Sequence, residues 1–145
     1  VQSDNPLVQH LVQTFNADIE GPIQLALRTN KMDDYLNHLY TLDIAHTGPI
    51  LGSRHKPDGT KLTWRMLFPD FGTIVAPFLI EWGKAKNIPQ EKRFLNKQQV
   101  KSVTCGLAVD IMEQVYTLNT TGKTIALENG ALFLRQGEDI GFHIE

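Results

Sequence analysis

The stretch Ser53–Trp82, SRHKPDGTKLTWRMLFPDFGTIVAPFLIEW, decides the fold. Pro57-Asp58-Gly59 combines a fixed φ, a side chain that hydrogen-bonds its own backbone, and a residue that tolerates positive φ. The runs on either side, Thr47–Arg54 and Lys61–Phe68, intersperse apolar and charged residues, so the segment reads as a β-hairpin. A Pro/Asp/Gly break follows. Then comes a third strand, Ala76–Trp82, which sets a lone glutamate, Glu81, between Ile80 and Trp82.

Toward the N-terminus, Ser3 or Asp4 is positioned to cap a helix with Pro6 in its early turn, where the missing N–H does no harm. Leu7, Leu11 and Phe15, with Val8 and Val12, form one apolar stripe to about Asn16. Ile23, Leu25 and Leu27 alternate with Gln24, Ala26 and Arg28 and predict a strand. Thr29 or Asn30 then caps a helix from Lys31 to about Leu42, with Asp33 and Asp34 at the favourable end of its dipole. The order to this point is β-α-β-β-β.

Toward the C-terminus the order starts again. Gly83–Gln99 is polar, with Pro89 in its middle, and reads as a connector with at most a short helix. Val103–Val109 is a strand, and Asp110 caps a helix over Ile111–Leu118. Lys123–Leu127 and Ala131–Gln136 are strands joined by the turn Glu128-Asn129-Gly130, and Gly141–Glu145 begins a last one. The chain thus divides into an N-terminal helix and linker (1–20), a β-α-β-β-β module (21–83), a connector (84–100) and a shorter second module (101–145). The predicted fold is α+β: repeated β-α-β-β-β modules forming a curled mixed sheet with helices on the outer face, since one unit alone leaves a sheet face bare.

The 145 residues suit one domain, and a net charge of −2 with 41% apolar residues describes an ordinary soluble globule. So slight a charge argues against a nucleic-acid binder. No run reaches the ~18 apolar residues that span a bilayer. The single cysteine, Cys105, excludes an internal disulfide; a reducing, cytoplasmic setting is the simple reading, and a cysteine-poor secreted protein is the alternative. A start at Val1 without methionine or signal-peptide pattern leads us to expect a piece of a longer protein.

The residues suggest few chemistries. Glu81 pointing inward needs a partner. It is either a metal ligand or general base, or the partner of Arg28 or Arg65 in an ion pair that fixes strand register. Arg28, Arg54 and Arg65 lie on neighbouring strands and offer guanidinium forks suited to a small anion, or else solvated strand faces. Trp64 and Trp82 read as core or as the aromatic floor of a ligand site. His10 reads as a boundary residue, His55 as a loop residue, His38 as helix surface, and His143 as a candidate ligand on the last strand. Cys105 reads as inert core. There is no phosphate loop, nucleophile elbow or dinucleotide fingerprint.

Arg54-x-x-Pro57-Asp58-Gly59-x-x-Leu62-x-Trp64-Arg65, with Pro77-Phe78-Leu79-Ile80-Glu81-Trp82, resembles the glyoxalase-like domain of the vicinal oxygen chelate (glyoxalase/bleomycin resistance/dioxygenase) superfamily. Leu25-Ala26-Leu27-Arg28-Thr29 fits the start of such a module. The likeness is good over about 20–83 and rests on element order alone over 100–145. It implies paired modules enclosing a cup, one divalent metal ion chelating vicinal oxygens of a substrate, and a preceding module or a homodimer partner that completes the cup. Glu81, on the last strand of its module, is the one metal-ligand position that carries over. The first strand has no histidine, and Val103–Val109 has neither imidazole nor carboxylate. The expected function is a lyase, isomerase or dioxygenase acting on a small oxygen-rich anion, with Glu81 as ligand or base and Arg28, Arg54, Arg65, Trp64 and Trp82 around the substrate. The alternatives are a non-catalytic protein that sequesters a small molecule in the same cup, and a module that only pairs with a missing partner.

Overall fold

A computed structural model describes residues 3–86 and 96–145. The fold is α+β, with two four-stranded mixed sheets, neither closed into a barrel. The chain divides into two compact units, Val1–Lys86 and Asn87–Glu145.

The first unit opens with α1 (Pro6–Asn16). Its cap is Asn5, not Ser3 or Asp4: the Asn5 side chain accepts from Leu7 N–H at 3.0 Å, and Pro6 takes the first helical position. Ser3 instead accepts from the Asn5 amide, one step outside the helix. There follow β1 (Ala26–Arg28), α2 (Met32–Thr41), β2 (His46–His55), β3 (Lys61–Pro69) and β4 (Phe78–Trp82), in the sheet order β1-β4-β3-β2. β1 is parallel to β4, and the other pairs are antiparallel. β1 is shorter than its apolar alternation predicts: among the described residues it pairs with β4 alone, and the register begins at Ala26 opposite Phe78. The β2–β3 turn is built as its sequence dictates. Gly59 takes φ +82°, Asp58 Oδ1 accepts from Thr60 N–H at 2.9 Å, and the Lys56 amide donates to Thr60 O.

Period-two alternation sorts the strand residues onto two faces. On one face Leu27, Leu79 and Leu67 form a row across β1, β4 and β3. All three are buried, and α2, with Met32 and Leu39 at 0% exposure, contacts β3 and β4. On the other face Met66, Phe68 and Phe78 form a buried cluster against which Leu7, Ile50, Trp64 and Ile80 pack. Leu7 brings α1 to that face.

The second unit runs β5 (Val100–Cys105), α3 (Val109–Gln114), β6 (Thr124–Leu127), β7 (Gly130–Leu134) and β8 (Gly141–Ile144). The expected β-α-β-β-β order is present, but the pairing differs from that of the first unit. The order is β6-β7-β5-β8, so the first strand lies between the third and the fourth. β5 ends earlier than predicted and α3 starts earlier. The chain turns at Gly106, where a Cβ would collide with the Glu138 carbonyl, and Leu107 is buried off the sheet. Asp110 therefore lies in the first turn of α3, and Ala108 occupies the cap position. The core holds Leu107, Met112, Tyr116, Ile125, Leu132 and Leu134, each at most 2% exposed. The helix considered within the 84–100 connector falls largely on 87–95, outside the described residues.

Candidate functional site

Glu81 lies on the face that α2 covers. It stands opposite Arg65 in the β3–β4 register. Its Oε1 accepts from Arg65 Nε at 3.1 Å and from Nη2 at 2.5 Å, and its Oε2 accepts from Met32 N–H, at the first position of α2, at 3.0 Å. Arg65 Nη1 reaches Asp33 Oδ1 at 2.8 Å. A helix N-terminus presents unsatisfied N–H groups and partial positive charge. Because Lys31 at the cap position gives no side-chain bond, a carboxylate from the sheet caps α2 instead. Arg65 then bridges the carboxylates of Glu81 and Asp33. The hydrogen bonds that Arg65 donates to Glu81 first, then to Asp33, raise it above its ordinary value, so the guanidinium stays charged.

Trp64 and Trp82 lie on the opposite face, as a directly facing pair with ring centroids 5.4 Å apart and both half-buried. The third member of that row is Gly52. A Cβ at position 52 would overlap the Trp64 indole, so the ring lies down against the β2 backbone where only glycine leaves room. Arg28 and Arg54 share this face, both exposed. Arg28 is in the row of Ile80, Met66 and Ile50, and Arg54 is opposite Leu62. They occupy the two edge strands at diagonal corners, about 14 Å apart across the sheet and about 13 Å along it.

The structure thus brings together Glu81 with Arg65, and Trp64 with Trp82, on opposite faces of one sheet. The three arginines do not converge. Alternation separates Trp64 from Arg65 and Glu81 from Trp82, and the Arg65 ion pair is one of the two expected for Glu81. The choice of Arg65 over Arg28 is made by the β3–β4 register, which no local pattern sets.

The metal that the fold family implies can be tested against these donors. A divalent ion on Glu81 would sit beside the Arg65 guanidinium, cation against cation, and would have to displace the Met32 amide. No three His, Cys, Asp or Glu side chains converge on a possible ion among the described residues. The donors around Glu81 do not fit a divalent ion.

Of the other candidates, His143 is exposed and lies 3.7 Å from Glu145. Cys105 is buried, and its burial pushes the thiol up. His10 is half-buried, as a boundary residue should be, and has a partner that its position in sequence did not indicate. Its Nδ1 meets Gln24 Oε1 at 3.1 Å, and Gln24 Nε2 donates to Ala76 O at 3.2 Å. No sequence signal marks this pair, since fourteen residues and an irregular segment separate the partners.

A glyoxalase-like domain model matches residues 2–115, and the chain belongs to that family. Among solved structures it is similar to a hypothetical protein from Staphylococcus aureus, with a TM-score of 0.69 at 17% identity. The match covers 99% of this chain and 66% of that one, and so speaks for the fold alone. Comparison with curated proteins gives no match. No helix among the described residues is long and apolar enough to cross a membrane.

Proposed function

We propose that this glyoxalase-like domain binds a small, flat, oxygen-rich anion on the Trp64–Trp82 face of its first sheet, without using Glu81 as a metal ligand. The observation that carries the reading is the aromatic pair itself, half-buried, with one indole laid flat over Gly52. Apolar walls with a few polar groups at the rim describe most small-molecule sites. Arg54 and Arg28 stand at that rim, and guanidinium forks match carboxylates. Arg65 and Glu81 belong to the fold on this reading, not to the ligand. It corresponds to the sequestering alternative.

Family membership favours a second reading, a lyase, isomerase or dioxygenase in which Glu81 acts as ligand or base. That chemistry requires the carboxylate to leave Arg65 and the α2 amide.

Both tryptophans lie in the first unit, so intrinsic fluorescence reports on the site directly. Titration with protocatechuate, salicylate and pyruvate is expected to give saturable quenching by the aromatic acids. Arg54→Gln should weaken it by about 1.5–3 kcal/mol, the range for a hydrogen bond to a charged group, and Trp64→Leu should weaken it further. Quenching that never saturates, or that ignores both substitutions, removes this face as the site. Turnover of a dicarbonyl or catechol that is lost in Glu81→Gln while the fold is retained would establish the second reading.

A further inference from the structure

The first unit holds another concavity, an open groove of about 320 Å³ between α1 and the segment 69–76. That volume is at the small end of ligand-sized sites. Its polar lining includes His10, Gln24 and Asp70, and Phe68 and Val75 are among its apolar residues. No lysine or arginine is among its lining residues.

The polar groups are held in a defined order. The Ala76 carbonyl can only accept, so Gln24 turns its amide N–H₂ toward it and presents Oε1 to His10. An acceptor facing Nδ1 requires the proton to be there, which makes Nε2 of the neutral ring an acceptor. On the same helix, Thr14 Oγ1 donates to the His10 backbone carbonyl at 2.8 Å. Asp70 is fixed in the same manner. Its Oδ1 accepts from Gly72 N–H at 2.8 Å and its own amide donates to Ala45 O at 2.8 Å. The Asp70 carboxylate adds negative charge to a wall with no lysine or arginine among the described lining residues. Ile74 and Val75, 49% and 48% exposed, give the rim an apolar surface.

We propose that this groove binds a small organic ammonium compound, its N–H groups accepted by His10 Nε2 and the Asp70 carboxylate and its carbon body resting on Phe68 and Val75. Acceptors without a cation disfavour an anion, and the apolar rim disfavours a bare metal ion. The groove therefore differs in ligand class from the tryptophan face, and neither proposal depends on the other.

Three probes of one shape and different charge test the assignment: benzylamine, benzyl alcohol and benzoate, titrated into ¹⁵N-labelled protein. Benzylamine should give saturable amide shifts confined to α1 and residues 69–76. Benzyl alcohol should bind at least about tenfold more weakly, and benzoate should leave these amides unmoved. Asp70→Asn keeps the oxygen that accepts from Gly72 and removes the charge. It should lower benzylamine affinity about tenfold and bring amine and alcohol together. Equal affinities for the three probes, no saturable shifts in the groove, or an Asp70→Asn protein that binds benzylamine unchanged would each overturn the assignment.

Discussion

Replacing Glu81 by glutamine preserves the shape of the side chain and removes its charge, which separates a residue that holds the fold from one that holds a ligand. Two losses are expected. The Met32 N–H now faces an amide N–H₂ or a reoriented side chain, so an interaction equivalent to a helix cap is lost, about 1 kcal/mol. The pair with Arg65 becomes a neutral–charged hydrogen bond. Its Coulomb ceiling at 4 Å and an effective dielectric constant of 20 is about 4 kcal/mol. The two side chains are 31% and 21% exposed, so screening reduces this to about 1 kcal/mol. Together the substitution should cost about 2 kcal/mol. With a urea m-value of about 2 kcal/mol/M, the midpoint falls by about 1 M. Tryptophan fluorescence is the readout, because Trp64 and Trp82 sit on the opposite face of the same sheet and titrate the unfolding of this unit alone. In a double-mutant cycle with Arg65→Met, a coupling of about 1 kcal/mol should appear. A Glu81→Gln protein with an unshifted midpoint would refute the structural assignment and return Glu81 to the list of groups available for chemistry.

Three further outcomes are expected. Gly52→Ala drives a methyl group into the Trp64 indole and should destabilise the first unit by about 1–3 kcal/mol, with a changed near-ultraviolet dichroism spectrum. Leu132→Ala empties a site of zero exposure in the second unit and should cost about 3 kcal/mol, read by chemical denaturation followed by far-ultraviolet dichroism. Burial raises the Cys105 thiol, against a smaller opposing effect of the Leu107 and Gly106 amides. Native protein should therefore react slowly with a disulfide reagent until denaturant is added. The sign of the accompanying pH effect follows: above about 8.5 the unfolded thiol ionises while the native one does not. That part of the stability is full below this pH and is lost as pH rises, and Cys105→Ala should flatten the decline.

Much of the first unit was legible in local chemistry. Pro57-Asp58-Gly59 specifies its own turn, and the apolar stripe of α2 specifies a helix that must lie on a sheet. The same local signals misplaced the end of β5. Val103, Cys105, Leu107 and Val109 alternate as a strand would, but the chain leaves the sheet at Gly106 because the Glu138 carbonyl packs against it. The pairing order of the second sheet was likewise out of reach, since period-two alternation says which residues share a face and nothing about which strands are neighbours.

The candidate site divides along the same line. Alternation along a strand puts Glu81 and Trp82 on opposite sides, although the family resemblance gathers both around one substrate. The sequence also singled out the residues worth asking about. Tertiary structure decided the rest: that α2 covers the Glu81 side, that Arg65 arrives opposite Glu81, that Arg28 and Arg54 stand at distant corners, and that His10 meets Gln24. Each of these depends on register and packing between segments far apart in the chain. Such contacts are fixed by the burial of whole faces, not by the few residues that a local pattern spans.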